Sequence, residues 1–153
     1  MKLQFILNGK PQSCEILPND SLLMTLRRLG CHSVRSGCDT TNCGICTVWV
    51  EGKPILSCGY PAARAEGHHV TTLEGVQAEA DTLMRFMAEE GADQCGFCSP
   101  GFIMSVLALG REIPHPTEEE IKHYLAGNLC RCTGYASQTR ILQKYFAEVA
   151  QHE

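Results

Sequence analysis

Apolar residues recur at every second position in Leu3, Phe5 and Leu7, and Asn8-Gly9 follows; the pattern predicts a strand, a tight turn and a second strand reaching Pro18. Leu22, Leu23, Leu26 and Leu29 then fall at helical spacing, with Asn19 or Asp20 as the expected cap and Gly30 as the stop. Residues 36–46, SGCDTTNCGIC, read as a loop. A second hairpin is expected from Thr47–Val50 and Pro54–Ser57 around Glu51-Gly52-Lys53, and a last strand from His69 to Leu73.

Beyond Glu74-Gly75 the period becomes helical. Leu83, Phe86 and Met87 share one face ahead of Gly91, and Ser99-Pro100 opens a helix with Ile103, Val106, Leu107 and Leu109 as packing surface. Thr117 with Glu120 forms a capping-box pattern for a third helix, through Tyr124 and Leu125. A fourth is expected from about Gly134 to Ala150, capped by Thr133, with Ile141, Leu142, Tyr145, Phe146 and Val149 buried. The expected fold class is α+β, a mixed sheet with one helix followed by a small helical bundle.

With 153 residues, 44% of them hydrophobic, the chain suits two small domains, expected at 1–76 and 77–153. Domains that small are marginal without staples, and ten cysteines offer them. Disulfides need an oxidising compartment, but MKLQFILNGK shows no small-residue cleavage site, so no signal peptide and a cytoplasmic location are expected. The apolar stretch 101–110, bounded by Pro100 and Arg111, is about half of what a membrane-spanning helix requires. A net charge of −4 without a basic stripe argues against nucleic acid and for protein partners.

Zinc and iron–sulfur chemistry remain. Cys38, Cys43 and Cys46 stand at C-x4-C-x2-C with Cys58 after the next hairpin, the plant-type [2Fe-2S] spacing, in which a tight loop supplies three thiolates and aims backbone N–H groups at the sulfurs. Structural zinc more often takes two short knuckles of matched spacing. Cys95 and Cys98 form C-x2-C, and Cys130 and Cys132 form C-x-C, each pair expected just before a helix start, where the dipole favours negative charge. Spacing alone leaves iron–sulfur and zinc both open for this second set.

The stretches GCDTTNCGICTV (37–48), QCGFCSPG (94–101) and GNLCRCTGY (127–135) resemble the small iron–sulfur subunit of the xanthine dehydrogenase, aldehyde oxidase and carbon monoxide dehydrogenase family of molybdenum hydroxylases. The resemblance covers nearly the whole chain. It implies a β-grasp ferredoxin-like domain followed by a four-helix bundle domain, each with a [2Fe-2S] cluster. The implied ligands are Cys38, Cys43, Cys46 and Cys58 for one and Cys95, Cys98, Cys130 and Cys132 for the other. It further implies an electron relay from a molybdopterin site in a large subunit to FAD in a medium subunit, with Gln94 and Cys132 approaching the pterin. Rival expectations are a structural zinc adaptor and a free-standing two-cluster carrier. No catalytic residue is expected in this chain, and the substrate of the complex lies in the large subunit.

Two positions depart from the family pattern. Thr41 stands where many members have Gly, and its hydroxyl is expected to cap the turn or to bond a cluster sulfur. Gln138 replaces an aliphatic residue and is expected on an exposed helix face or against a partner. Cys14 and Cys31 read as small buried hydrophobes. His68, His69 and His115 read as solvent-facing, Glu118-Glu119-Glu120 as a helix start, and Arg131 as a charge for the cluster or for a partner carboxylate.

Overall fold

The computed structural model describes residues 1–149; the expected end of the last helix at Ala150 lies outside them. β1 (Lys2–Leu7) and β2 (Lys10–Glu15) pair antiparallel, and register Leu7 to Lys10 leaves Asn8 and Gly9 as a two-residue turn. Both turn residues have positive φ, 50° and 77°, as a right-twisting hairpin requires. β3 (Thr47–Val50) and β4 (Lys53–Leu56) repeat the device, so Lys53 belongs to the strand rather than the turn. β5 (His69–Thr71) lies between β1, which it joins parallel, and β3, which it joins antiparallel. The mixed sheet runs β2-β1-β5-β3-β4.

α1 (Leu22–Arg28) packs Leu22 and Leu26 against Leu3, Phe5, Val48 and Val50. Its cap is Ser21, whose hydroxyl accepts from Met24 N at 3.3 Å, and not Asn19 or Asp20. Asp20 is engaged elsewhere, since its buried carboxylate accepts from Leu17 N at 2.9 Å and from the Arg28 guanidinium at 2.5 Å. The first apolar period marks the helix correctly, but three polar residues in a row hide which one caps it.

The second half contains α2 (Gln77–Glu89), α3 (Ser99–Glu112), α4 (Glu118–Tyr124) and α5 (Ala136–Val149). With the sheet, these make an α+β fold. Thr117 and Glu120 close the expected capping box over α4, at 3.2 Å and 2.7 Å. α5 starts two residues later than expected, because Gly134 and Tyr135 both have positive φ, 66° and 69°. Cys98, not Ser99, occupies the cap position of α3, and the Ser99 hydroxyl turns to Asp93 at 2.8 Å.

Two apolar cores result, one around α1 and the sheet, the other among α2, α3, α4 and α5. All four residues of β3 are buried because both faces of that strand are covered. Val48 and Val50 point into the first core, whereas Trp49 joins the second, and its indole N–H donates to Met104 O in α3 at 3.0 Å. Arg111 covers the outer face of that ring at 4.1 Å from its centroid. Cys31 is buried as expected, but Cys14 is only half-buried, since β2 is an edge strand. His68, His69 and His115 are exposed.

Candidate metal centres

The eight cysteines singled out by spacing gather into two sets of four. In the first half, Cys38 lies beside Cys43 and Cys46 beside Cys58, and Cys43 also feels the charge of Cys58. In the second half, Cys98 pairs with Cys130 and Cys132 with Cys95, while Cys95 also acts on Cys98 and Cys130 on Cys132. Each set is thus two pairs side by side. Pairs of thiols suit a two-iron core in which each iron takes two thiolates, whereas one zinc would draw all four to a point.

The first set is built on backbone. Three amides, of Asn42, Thr40 and Cys43, aim at Cys38 and bring its pKa down to about 6. Burial pushes the Cys46 thiol up to about 11, and it raises Cys43 as well. The loop can bend this tightly because Gly44 has φ 71°, and it must be glycine for a second reason: a Cβ there would collide with Gly127 O and lie 2.7 Å from the Asn128 amide. Thr41 is exposed at φ 57°, and it lies over Gly59, where an added Cβ would stand 2.8 Å from its methyl.

The second set is built on side chains and a helix start. Cys98 caps α3, where helix N–H groups gather, but burial and the neighbouring Cys130 still push its pKa up to about 12. Burial acts upward on Cys130 too, yet the Thr133 hydroxyl and amide, the Cys132 amide and the Cys98 thiol outweigh it and lower that pKa. The Thr133 hydroxyl lies 3.2 Å from Cys130 Sγ, so Thr133 serves the sulfur and does not cap α5. Cys130 N–H donates to the Tyr135 hydroxyl at 3.0 Å, tying down the C-x-C turn. Because α5 begins at Ala136, Cys98 stands at a helix start whereas Cys130 and Cys132 do not. Cys95 and Cys132 are exposed, as are Gln94 and Arg131.

The sets meet across the join between the halves. Leu129 N, next to Cys130, donates to Cys43 O at 2.8 Å. Asn128 Nδ2 reaches Gly44 O at 3.3 Å and Gly101 O at 3.4 Å, and a Cβ on Gly101 would lie 2.5 Å from Ile45 O. Cys43, Cys98, Phe102, Asn128, Leu129 and Gln138 come together between the sets, with no water-sized cavity among them. Gln138 is buried, 5% exposed, against the expectation of an exposed face, because α5 turns that position inward against α3. Asn128, Gly101 and Gln138 form this join, yet no spacing in the sequence marks them as a group. A glycine just inside a helix start, at Gly101, was the available signal of a close backbone approach.

Two family descriptions match the chain in turn: "2Fe-2S iron-sulfur cluster binding domain" over residues 5–73 and "[2Fe-2S] binding domain" over 72–143. The xanthine dehydrogenase iron-sulfur-binding subunit of Escherichia coli O157:H7 is 47% identical over 139 residues, covering 87% of this chain and 86% of that one. The nicotinate dehydrogenase small FeS subunit of Eubacterium barkeri is 44% identical over 132 residues, covering 84% of each. This chain belongs to the xanthine dehydrogenase family of iron–sulfur subunits. As a member of that family it carries two [2Fe-2S] clusters and serves electron transfer in an oxidoreductase complex without being its catalytic subunit. The crystal structure of quinoline 2-oxidoreductase from Pseudomonas putida 86 superposes with a TM-score of 0.90 at 34% identity, over 99% of this chain and 96% of that one. Aldehyde oxidoreductase from Desulfovibrio desulfuricans gives 0.91 at 37%, and there the family's iron–sulfur part is 17% of a longer chain.

Proposed function

We propose that this chain relays electrons from a molybdopterin site in a large partner subunit to FAD in a medium partner subunit of a cytoplasmic molybdenum hydroxylase. The observation that carries the reading is the backbone bridge between the two thiol sets, Leu129 N–H to Cys43 C=O at 2.8 Å, which joins them within one packed interface. Cys38, Cys43, Cys46 and Cys58 hold one [2Fe-2S] cluster and Cys95, Cys98, Cys130 and Cys132 the other; when bound, each supplies one-electron chemistry. The partition into residues 1–76, a β-grasp ferredoxin-like domain, and 77–153, a four-helix bundle domain, is supported by the two separate cores and by the two family matches that meet at residues 72–73.

Exposure supports the direction that the family resemblance implies. The second set presents Cys95 and Cys132 to the surface, with Gln94 beside Cys95, which suits an edge that meets the pterin, and the first set, with Cys43 and Cys46 buried, is the less exposed of the two. Among the described residues no helix is long and apolar enough to cross a membrane, and the proposed partners are the two subunits alone.

Low-temperature EPR with iron quantitation on the reduced complex tests this. Two distinct [2Fe-2S] signals of equal spin are expected; a single signal, or zinc in place of half the iron, would overturn it. Gln94→Ala should slow reduction of the second-set cluster by substrate while both clusters still assemble, and unchanged reduction kinetics would defeat the role given to Gln94.

A further inference from the structure

Arg35 lies three residues ahead of Cys38, in the connection between α1 and the first cysteine loop, yet its hydrogen bonds are made in the other half of the chain. Its Nη1 donates to Gly96 O at 2.6 Å and to Phe97 O at 3.1 Å. Both carbonyls belong to the turn between Cys95 and Cys98. The guanidinium carbon also stands 5.5 Å from the centroid of the Phe97 ring, and that ring is 45% exposed. Arg28, Arg85 and Arg111 each pair with a carboxylate. Among the described residues Arg35 makes no such ion pair, and the one carboxylate on the same turn, Asp93, is bonded to the Ser99 hydroxyl instead.

A cation fixed on this turn has two consequences. It fixes the carbonyls of Gly96 and Phe97, the two residues between Cys95 and Cys98. It also lowers the energy of any added negative charge on the four thiolates and what they hold, because reduction adds one electron and no opposing charge enters. Arginine suits this role, since its charge is permanent, one nitrogen reaches both carbonyls and the planar group lies over the Phe97 ring. Lysine would keep the charge and lose the planar group over Phe97.

We infer that Arg35, carried by the first half, is a positioning residue that sets the reduction potential of the cluster held by Cys95, Cys98, Cys130 and Cys132. The inference rests on the ligand assignment proposed above. It makes that potential depend on how the two halves are docked, and it distinguishes Arg35 from a residue that merely glues them together.

The test is an EPR-monitored redox titration of the intact complex, wild type against Arg35→Gln and Arg35→Lys. Arg35→Gln should lower the reduction equilibrium constant of the second-set cluster by about tenfold, which for a one-electron couple is 59 mV. The ferredoxin-type signal should move less. Arg35→Lys should stay within about threefold of wild type because it keeps the charge. Should Arg35→Gln assemble without the second cluster, Arg35→Lys alone decides: both signals with the small shift support the role, and a shift as large as tenfold overturns it. An Arg35→Gln complex with both signals and unmoved potentials, or with the larger shift on the ferredoxin-type signal, also overturns it. Absence of one signal from the wild-type complex is a separate result, and it would count against the two-cluster reading itself.

Discussion

The two halves solve one chemical problem with different materials. In the first, the thiols are drawn into the protein: Cys43 and Cys46 are buried, and backbone amides carried by a glycine-bent loop face Cys38. In the second, Cys95 and Cys132 remain exposed, and the sulfur donors are a threonine hydroxyl, a few amides and the start of one helix. A loop can aim many N–H groups inward because its backbone is not committed to a ladder, whereas helices have only their first turn to offer. The difference suits a relay with one buried station and one at the surface.

Removing a ligand breaks this comparison most completely. Cys43→Ser should abolish the ferredoxin-type EPR signal and half of the iron while substrate still reduces the remaining cluster; the flavin should then stay oxidised in a single-turnover experiment. Normal flavin reduction by that variant would show that the buried station is bypassed. Gly101→Ala addresses the join instead. Its Cβ would lie 2.5 Å from Ile45 O, in a place where backbone faces backbone and neither can yield, so a loss of about 1–3 kcal/mol is expected in denaturant unfolding.

Exposure itself can be measured. In the isolated subunit an iron chelator should strip the second-set cluster several-fold faster than the first, followed by loss of its EPR signal; equal rates would mean that the burial difference has no chemical consequence. The smallest effect belongs to Asp20. Its pKa is lowered by the Leu17 amide and by Arg28, so its stabilising contribution is present above the ordinary carboxylate value of about 4 and is lost as pH falls through the depressed folded value. Asp20→Asn should therefore be less stable than wild type near neutrality, and the gap in melting temperature should close under strongly acidic conditions.

Much of this was legible in the chain because the signals are local. Hairpin turns need positive φ at two adjacent residues, and Asn8-Gly9 announces one; the Thr117 and Glu120 capping box spans a single turn of helix. The cysteine spacings likewise describe loops that close on themselves. Where the local reading failed, a side-chain bond or the packing of the helix had decided the matter. Thr133 looked like a helix cap and is bonded to Cys130, Asp20 looked like a cap and is held by Arg28, and Gln138 looked exposed and is buried.

By itself, then, the sequence singled out the cysteines proposed to hold iron and most of the strands and helices, since both readings depend on chemistry and periodicity over a few positions. Only the tertiary structure decided how the thiols group two by two, that Trp49 leaves its own core for the other half, that Gly44, Gly101 and Asn128 meet across the join, and that Arg35 reaches Gly96 and Phe97. Those contacts bring together residues from opposite halves of the chain. Their selection follows from packing two finished surfaces against each other, a constraint that leaves no period or spacing behind in the sequence.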